Sequence, residues 1–188
     1  VWLAEGSICR RGYCETPNSR AHLALAVDGL AAADAACRAE GVDLAVENLN
    51  PRITYIFQLP SELAELTRSL PSIRFCVDVG HLWISALAHG FDFGEGLARI
   101  LATGRVRSAH IHDNASRLQP EPSLADDHSL IGSGTVPIRE ALAALVQACV
   151  PALVAETTSL PLENTARIFA LLEDMAQARQ PAGRPSAG

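Results

Sequence analysis

The chain has 188 residues, 48% hydrophobic and 19% charged, with 15 Lys+Arg against 21 Asp+Glu for a formal net charge of −6. That apolar fraction excludes a largely disordered chain and fits one folded domain with a substantial core. The acidic balance, with 5% aromatic residues, argues against a nucleic-acid binder, and no apolar run reaches the roughly 18 residues of a membrane span.

In chain order, residues 20–40 are rich in Ala and Leu at helical spacing and stop at Gly41, which predicts a first helix. VDLAVENL (42–49) is short and β-compatible and closes on Glu47. Pro60-Ser61-Glu62 opens a second helix that Pro71 ends. IRFCVDVG (73–80) is nearly continuous apolar, as expected of a strand covered on both faces. A helical stretch in two pieces, 81–88 and 93–103, leads to VRSAHIHD (106–113) and a long polar loop through Gly134. Pro137 then starts the helix IREALAALVQAC, ALVAE (152–156) is another strand, and residues 162–178 form the last helix. VWLAEG at the start reads as one more strand. The ending ARQPAGRPSAG, over residues 179–188, reads as a disordered tail after a domain at 1–178. The alternation of strands and helices implies an α/β fold with parallel strands and right-handed crossovers, an open sheet or a barrel.

The opening VWLAEGSICRRGYC lacks the regions of a signal peptide, and a first residue other than Met suits an incomplete or processed chain. Five cysteines (Cys9, Cys14, Cys37, Cys76 and Cys149) are an odd number without a CxxC pair. Buried thiols in a reducing cytoplasm are therefore expected rather than a disulfide framework.

In a parallel α/β fold the strands' carboxyl ends point to one side, where ligands bind. The four strand ends here carry Glu47, Asp78, His110 with His112, and Glu156. Singly, each acid reads as a helix N-cap or a loop ion pair. Together at equivalent places they imply a cation, because gathered carboxylates repel one another without one. Three carboxylates and one imidazole favour Mg²⁺, Mn²⁺ or Co²⁺ and admit Zn²⁺. His81, three residues after Asp78, and His128, beside Asp126 and Asp127, bring in a second ion and tilt toward Zn²⁺ if they reach the same mouth. The alternatives are that His81 caps a helix and His128 decorates a solvated loop. Strand parity puts His110 and His112 on one face. The Gly132-Ser133-Gly134 step reads as a turn more than a phosphate cradle. His89, before Gly90, reads as a helix C-terminal interaction without function. Trp2 and Trp83 read as core or pocket wall, and Arg117 as an exposed loop residue.

VENLN, CVDVGHLW, AHIHDN, DDHSLIGSGTV and VAETT, in this order, resemble the xylose isomerase-like TIM barrels, which include sugar phosphate isomerases/epimerases and the endonuclease IV family. The resemblance implies a (β/α)8 barrel of which this chain holds the last four to five βα units, over residues 21–176. It also implies Glu47, Asp78, His110 and Glu156 as metal ligands, with Glu47 and Glu156 as the acid/base pair. His81 matches a substrate contact or a second-metal ligand, and Asp126 and His128 match a D-x-H that binds metal in the nuclease branch. His112 is expected to tune His110 or touch substrate. Relatives usually carry a His at the end of the preceding strand, and VWLAEG has none. An open half-barrel is expected to expose a sheet edge and apolar surface.

The function expected from this resemblance is a divalent-metal-dependent sugar, sugar phosphate or polyol isomerase or epimerase working by proton transfer through an enediolate. It would take a small carbohydrate substrate, with homo-oligomerisation left open. The alternative is a zinc-dependent phosphodiester hydrolase of the endonuclease IV type, and a barrel fragment without catalysis is a third reading.

Overall fold

The computed structural model describes residues 19–52, 56–120 and 123–178. The first helix, α1, spans Ser19–Ala39, and Gly41 at φ +71° turns the chain out of it, a conformation that costs glycine nothing. The first strand, β1, is short, Ala45–Glu47. Helix α2 (Pro60–Ser69) starts where Pro60 needs no N–H partner, and Glu62 reaches back to accept from the Leu59 N–H at 2.9 Å. Strand β2 (Arg74–Asp78) runs directly into α3 (Val79–His89), with Asp78 as the N-cap, its side chain accepting from the His81 N–H. Helix α4 (Phe93–Leu101) is capped by Asp92, strand β3 is Val106–Ile111, helix α5 is Ile138–Gln147, strand β4 is Ala152–Ala155, and helix α6 is Pro161–Ala178.

The four strands pair in sequence order, β1-β2-β3-β4, all parallel. Asp78 sits beside His110, and Ile111 beside Ala155, with the Glu156 N–H donating to the Ile111 carbonyl at 3.1 Å just past β4. One sheet face carries Val46, Phe75, Val77, Ala109 and Ile111, buried against Leu63, Leu66, Leu97, Leu142 and Leu145 of the helices. Because side chains alternate, the other face receives Glu47, Cys76, Asp78, Ser108, His110 and Val154. The core therefore lies between sheet and helices, and the chemically active groups gather on the face that a closed barrel turns inward.

Each expected element is present within the described residues, with ends moved by a few positions. The expected N-terminal strand, Trp2, Cys9, Cys14 and the tail at 179–188 lie outside them. Among the described residues, strands β1 and β4 each have one strand neighbour. Val154, Leu160, Leu162 and Phe169 are exposed, matching the open-sheet expectation. One expectation needs correction. Cys149 is exposed, because it falls in the turn after α5 at φ +54° rather than on the helix. Gly90 ends α3 in left-handed conformation, and the half-buried His89 ring in the helix's last turn lies 3.2 Å from Gln58 Oε1, its pKa lowered by burial. Among the described residues no helix is long and apolar enough to cross a membrane.

Candidate metal centre

Glu47, Asp78, His110 and Glu156 each offer a ligand atom, all within 4.8 Å of one another. His110 Nδ1 lies 2.8 Å from Glu156 Oε2, 3.6 Å from Glu47 Oε1 and 3.9 Å from Asp78 Oδ2. Despite that closeness, the buried atoms Asp78 Oδ2, His110 Nδ1 and Glu156 Oε2 have no hydrogen-bond partner. Buried polar atoms are nearly always satisfied, and here three carboxylates crowd one imidazole, with Asp78 Oδ2 no nearer to it than 3.9 Å, so the cluster fits a cation held among them. The donor set of three carboxylates and one imidazole nitrogen suits a hard or borderline divalent ion.

Asp78 serves both readings of its sequence position. Its Oδ1 accepts from the His81 N–H at 2.6 Å as a helix cap, and Oδ2 remains free. Asn48 fixes the Asp78 backbone from β1 by accepting from its N–H and donating to its carbonyl, both at 2.9 Å.

A second group contains His81, His112, Asp126 and His128. His81 joins the two groups, with Nδ1 3.3 Å from Glu47 Oε1 and Nε2 3.5 Å from Asp126 Oδ2. His128 Nε2 lies 3.2 Å from Asp126 Oδ1, whose buried oxygen has no hydrogen-bond partner, and its ring stacks on His112 with centroids 3.9 Å apart. So His128 does not decorate a solvated loop, and its φ of +47° is a strained setting for a non-glycine residue. Asn50 donates to Asp126 Oδ2 at 2.5 Å, and Arg52 approaches the same oxygen at 3.7 Å. His112 is fully buried, and its Nε2 lies 3.0 Å from Asp78 Oδ1. Trp83 packs against the core and donates to Thr135 Oγ1 at 3.1 Å. Arg117 is an exposed loop residue.

The GSG step has a different role from phosphate binding. Gly132 and Gly134 N–H groups both donate to Asp113 Oδ2 at 2.9 Å, while Oδ1 accepts from Asn114 and Val136 at 2.9 and 3.1 Å. The protein's own carboxylate fills the anion position, and it anchors both ends of the loop that carries Asp126 and His128. A Cβ at Gly134 would lie 2.2 Å from the Asn114 carbonyl oxygen. Gly134→Ala is therefore expected to cost about 1–3 kcal/mol, read as a lower denaturant midpoint; an unchanged midpoint contradicts this contact.

The site's electrostatics are those of a place where protons stand in for a cation. His110 is pushed up to about 11, first by its Cys76 hydrogen bond and then by Glu47, against burial. For His81 burial opposes the charge, but Asp126, Glu47 and Asp78 outweigh it and also bring it to about 11. Burial likewise opposes ionisation of Glu47 and Asp126, yet the facing histidines hold each carboxyl near about 2. A metal ion must displace the His110 proton, so its apparent affinity is expected to rise about tenfold per pH unit for each proton released. Calorimetry between pH 6 and 9 (roughly neutral to mildly basic) checks this, and a pH-independent affinity contradicts it. Stability of the metal-free protein runs oppositely. The raised histidines support it fully below their ordinary 6.5 and lose that support as pH climbs toward 11.

The family model described as Xylose isomerase-like TIM barrel matches residues 7–174. No curated protein sequence matches the chain. Among solved structures, a D-tagatose 3-epimerase-like protein aligns at TM-score 0.70 and 17% identity, covering 84% of this chain and 57% of its own. An L-ribulose 3-epimerase aligns at 0.60 and 15%, covering 85% and 58%. A D-allulose 3-epimerase from Methylomonas sp., in complex with D-allulose, aligns at 0.58 and 19%, covering 87% and 57%. The chain thus spans somewhat over half the length of these structures, and its four parallel strands make an incomplete barrel. With a family model covering most of its length and the matching α/β architecture, the chain belongs to the xylose isomerase-like TIM barrel family.

Proposed function

We propose that this chain carries the metal-holding portion of a divalent-metal-dependent sugar isomerase or epimerase. The observation that carries the reading is the convergence of Glu47, Asp78, His110 and Glu156 at the strand ends, each offering a ligand atom within 4.8 Å of the others. The sugar 3-epimerase names of the structurally similar proteins support it. Glu47, Asp78, His110 and Glu156 would hold the ion, which supplies Lewis-acid stabilisation of the negative charge developing on a substrate oxygen. Glu47 and Glu156, both beside His110, are placed to remove a proton from carbon and return one. General acid–base help of this kind contributes about 10²–10⁴-fold in rate. His81, held between Glu47 and Asp126, is placed to orient a substrate oxygen. Asp113 holds the loop that closes this side of the mouth.

The second reading, a zinc-dependent phosphodiester hydrolase of the endonuclease IV type, is favoured by one observation, the His81, His112, Asp126, His128 group. Metal count separates the two. Elemental analysis of the purified chain, loaded and desalted, is expected to give one Mn²⁺, Co²⁺ or Mg²⁺ per chain. Two or three zinc ions overturn the isomerase reading in favour of the hydrolase.

A further inference from the structure

We propose that His112 is a positioning residue that commits one oxygen of Asp78 to the protein and thereby presents the other to the cation. This rests on reading Glu47, Asp78, His110 and Glu156 as a metal centre. The Asp78 carboxylate is completely buried, yet its two oxygens have opposite surroundings. Oδ1 meets the His81 N–H at 2.6 Å and His112 Nε2 at 3.0 Å, while Oδ2 has no hydrogen-bond partner and lies 3.9 Å from His110 Nδ1. Asn48 already fixes the Asp78 backbone, so the remaining freedom is rotation of the carboxylate, an intrinsically soft torsion. A single helix-cap bond leaves that rotation loose, and a second donor at Oδ1 removes it.

The imidazole is itself held on several sides. It stacks on His128 at 3.9 Å and 10° and meets His81 edge-on at 5.5 Å, with Nδ1 3.4 Å from the Asp113 carbonyl oxygen. Gly80 makes its slot: a Cβ there would lie 2.1 Å from His112 Cε1, so any larger residue at 80 would push the ring off Asp78. The glycine of the DVGH string and the second histidine of HIHD are thus two halves of one device.

The test is Mn²⁺ binding to the full chain by calorimetry, with the folded state of each variant checked by near-UV circular dichroism. His112→Gln keeps a nitrogen donor the same number of bonds from the backbone as Nε2, whereas His112→Asn places one only where Nδ1 stood. His112→Phe fills the slot with no donor. Phe and Asn are expected to weaken Mn²⁺ binding by about 10–100-fold at unchanged stoichiometry, with Gln recovering most of the loss. Wild-type affinity in a folded Phe or Asn variant overturns the inference and leaves the metal centre standing. Loss of a whole equivalent of metal overturns it too, since that makes His112 a ligand. If Phe fails to fold, the contrast between Gln and Asn decides, and equal affinities for those two overturn the inference. No Mn²⁺ binding by the wild-type chain overturns the centre itself, and the inference with it.

Discussion

On the proposed isomerase or epimerase reading, Glu156→Gln is expected to lower turnover by about 10²–10⁴-fold, the range for loss of a positioned acid–base group, while the fold persists. The side chain lies past the end of β4, is 41% exposed, and its Oε2 meets only the His110 ring of the site, at 2.8 Å, so packing depends little on it. The amide keeps the shape but can neither take a proton from carbon nor offer an anionic oxygen to a cation. D-Allulose and D-tagatose, sugars named for the similar structures, are the substrates to assay, alongside thermal melting. Undiminished turnover in a folded variant contradicts the assignment of Glu156, and a collapsed melting transition shows that its role is structural.

The largest stability effect is expected at Asp113. Its buried carboxylate accepts four backbone N–H groups, from Asn114, Gly132, Gly134 and Val136. Hydrogen bonds to a charged group are worth more than neutral ones, and each donor left buried without a partner adds a desolvation penalty. Some of the loop can relax toward water, so Asp113→Ala is expected to cost about 3–5 kcal/mol rather than the full sum. The loop between these anchors carries Asp126 and His128, so the variant is also expected to lose any ion held by the second group before the first. Denaturant unfolding and metal titration together check this. A cost below about 1 kcal/mol, the scale of an ordinary surface change, contradicts the anchoring role.

Much of this was legible in the sequence because two periodicities are clean. Apolar stretches such as IRFCVDVG and the Ala/Leu helices declare their elements, and an acid or histidine at or just past the end of each apolar strand declares the mouth. Parallel pairing then brings Glu47, Asp78, His110 and Glu156 together without further information. His112 was harder. Parity puts it on the right face, but its complete burial depends on the missing side chain of Gly80 and on the His128 ring, both remote in sequence. Asp113 gave no signal beyond an acid after a strand, because three of its four backbone N–H partners, Gly132, Gly134 and Val136, lie 19, 21 and 23 residues away. Asn48 and Asn50 carry no signal of their own either: an amide that ties backbone or orients a carboxylate looks like any loop residue in one dimension. Cys149 misled because its apolar neighbours belong to α5, whereas the residue itself sits beyond the last turn.

The most direct measurement is the anomalous difference density of crystals of this chain loaded with Mn²⁺. A peak is expected at bonding distance, about 2–2.3 Å, from Asp78 Oδ2 and His110 Nδ1, with Glu47 and Glu156 oxygens completing the contact. A chain saturated with Mn²⁺ that shows no peak among these four side chains, or one that engages none of them, contradicts the claim that the strand ends were built around a cation.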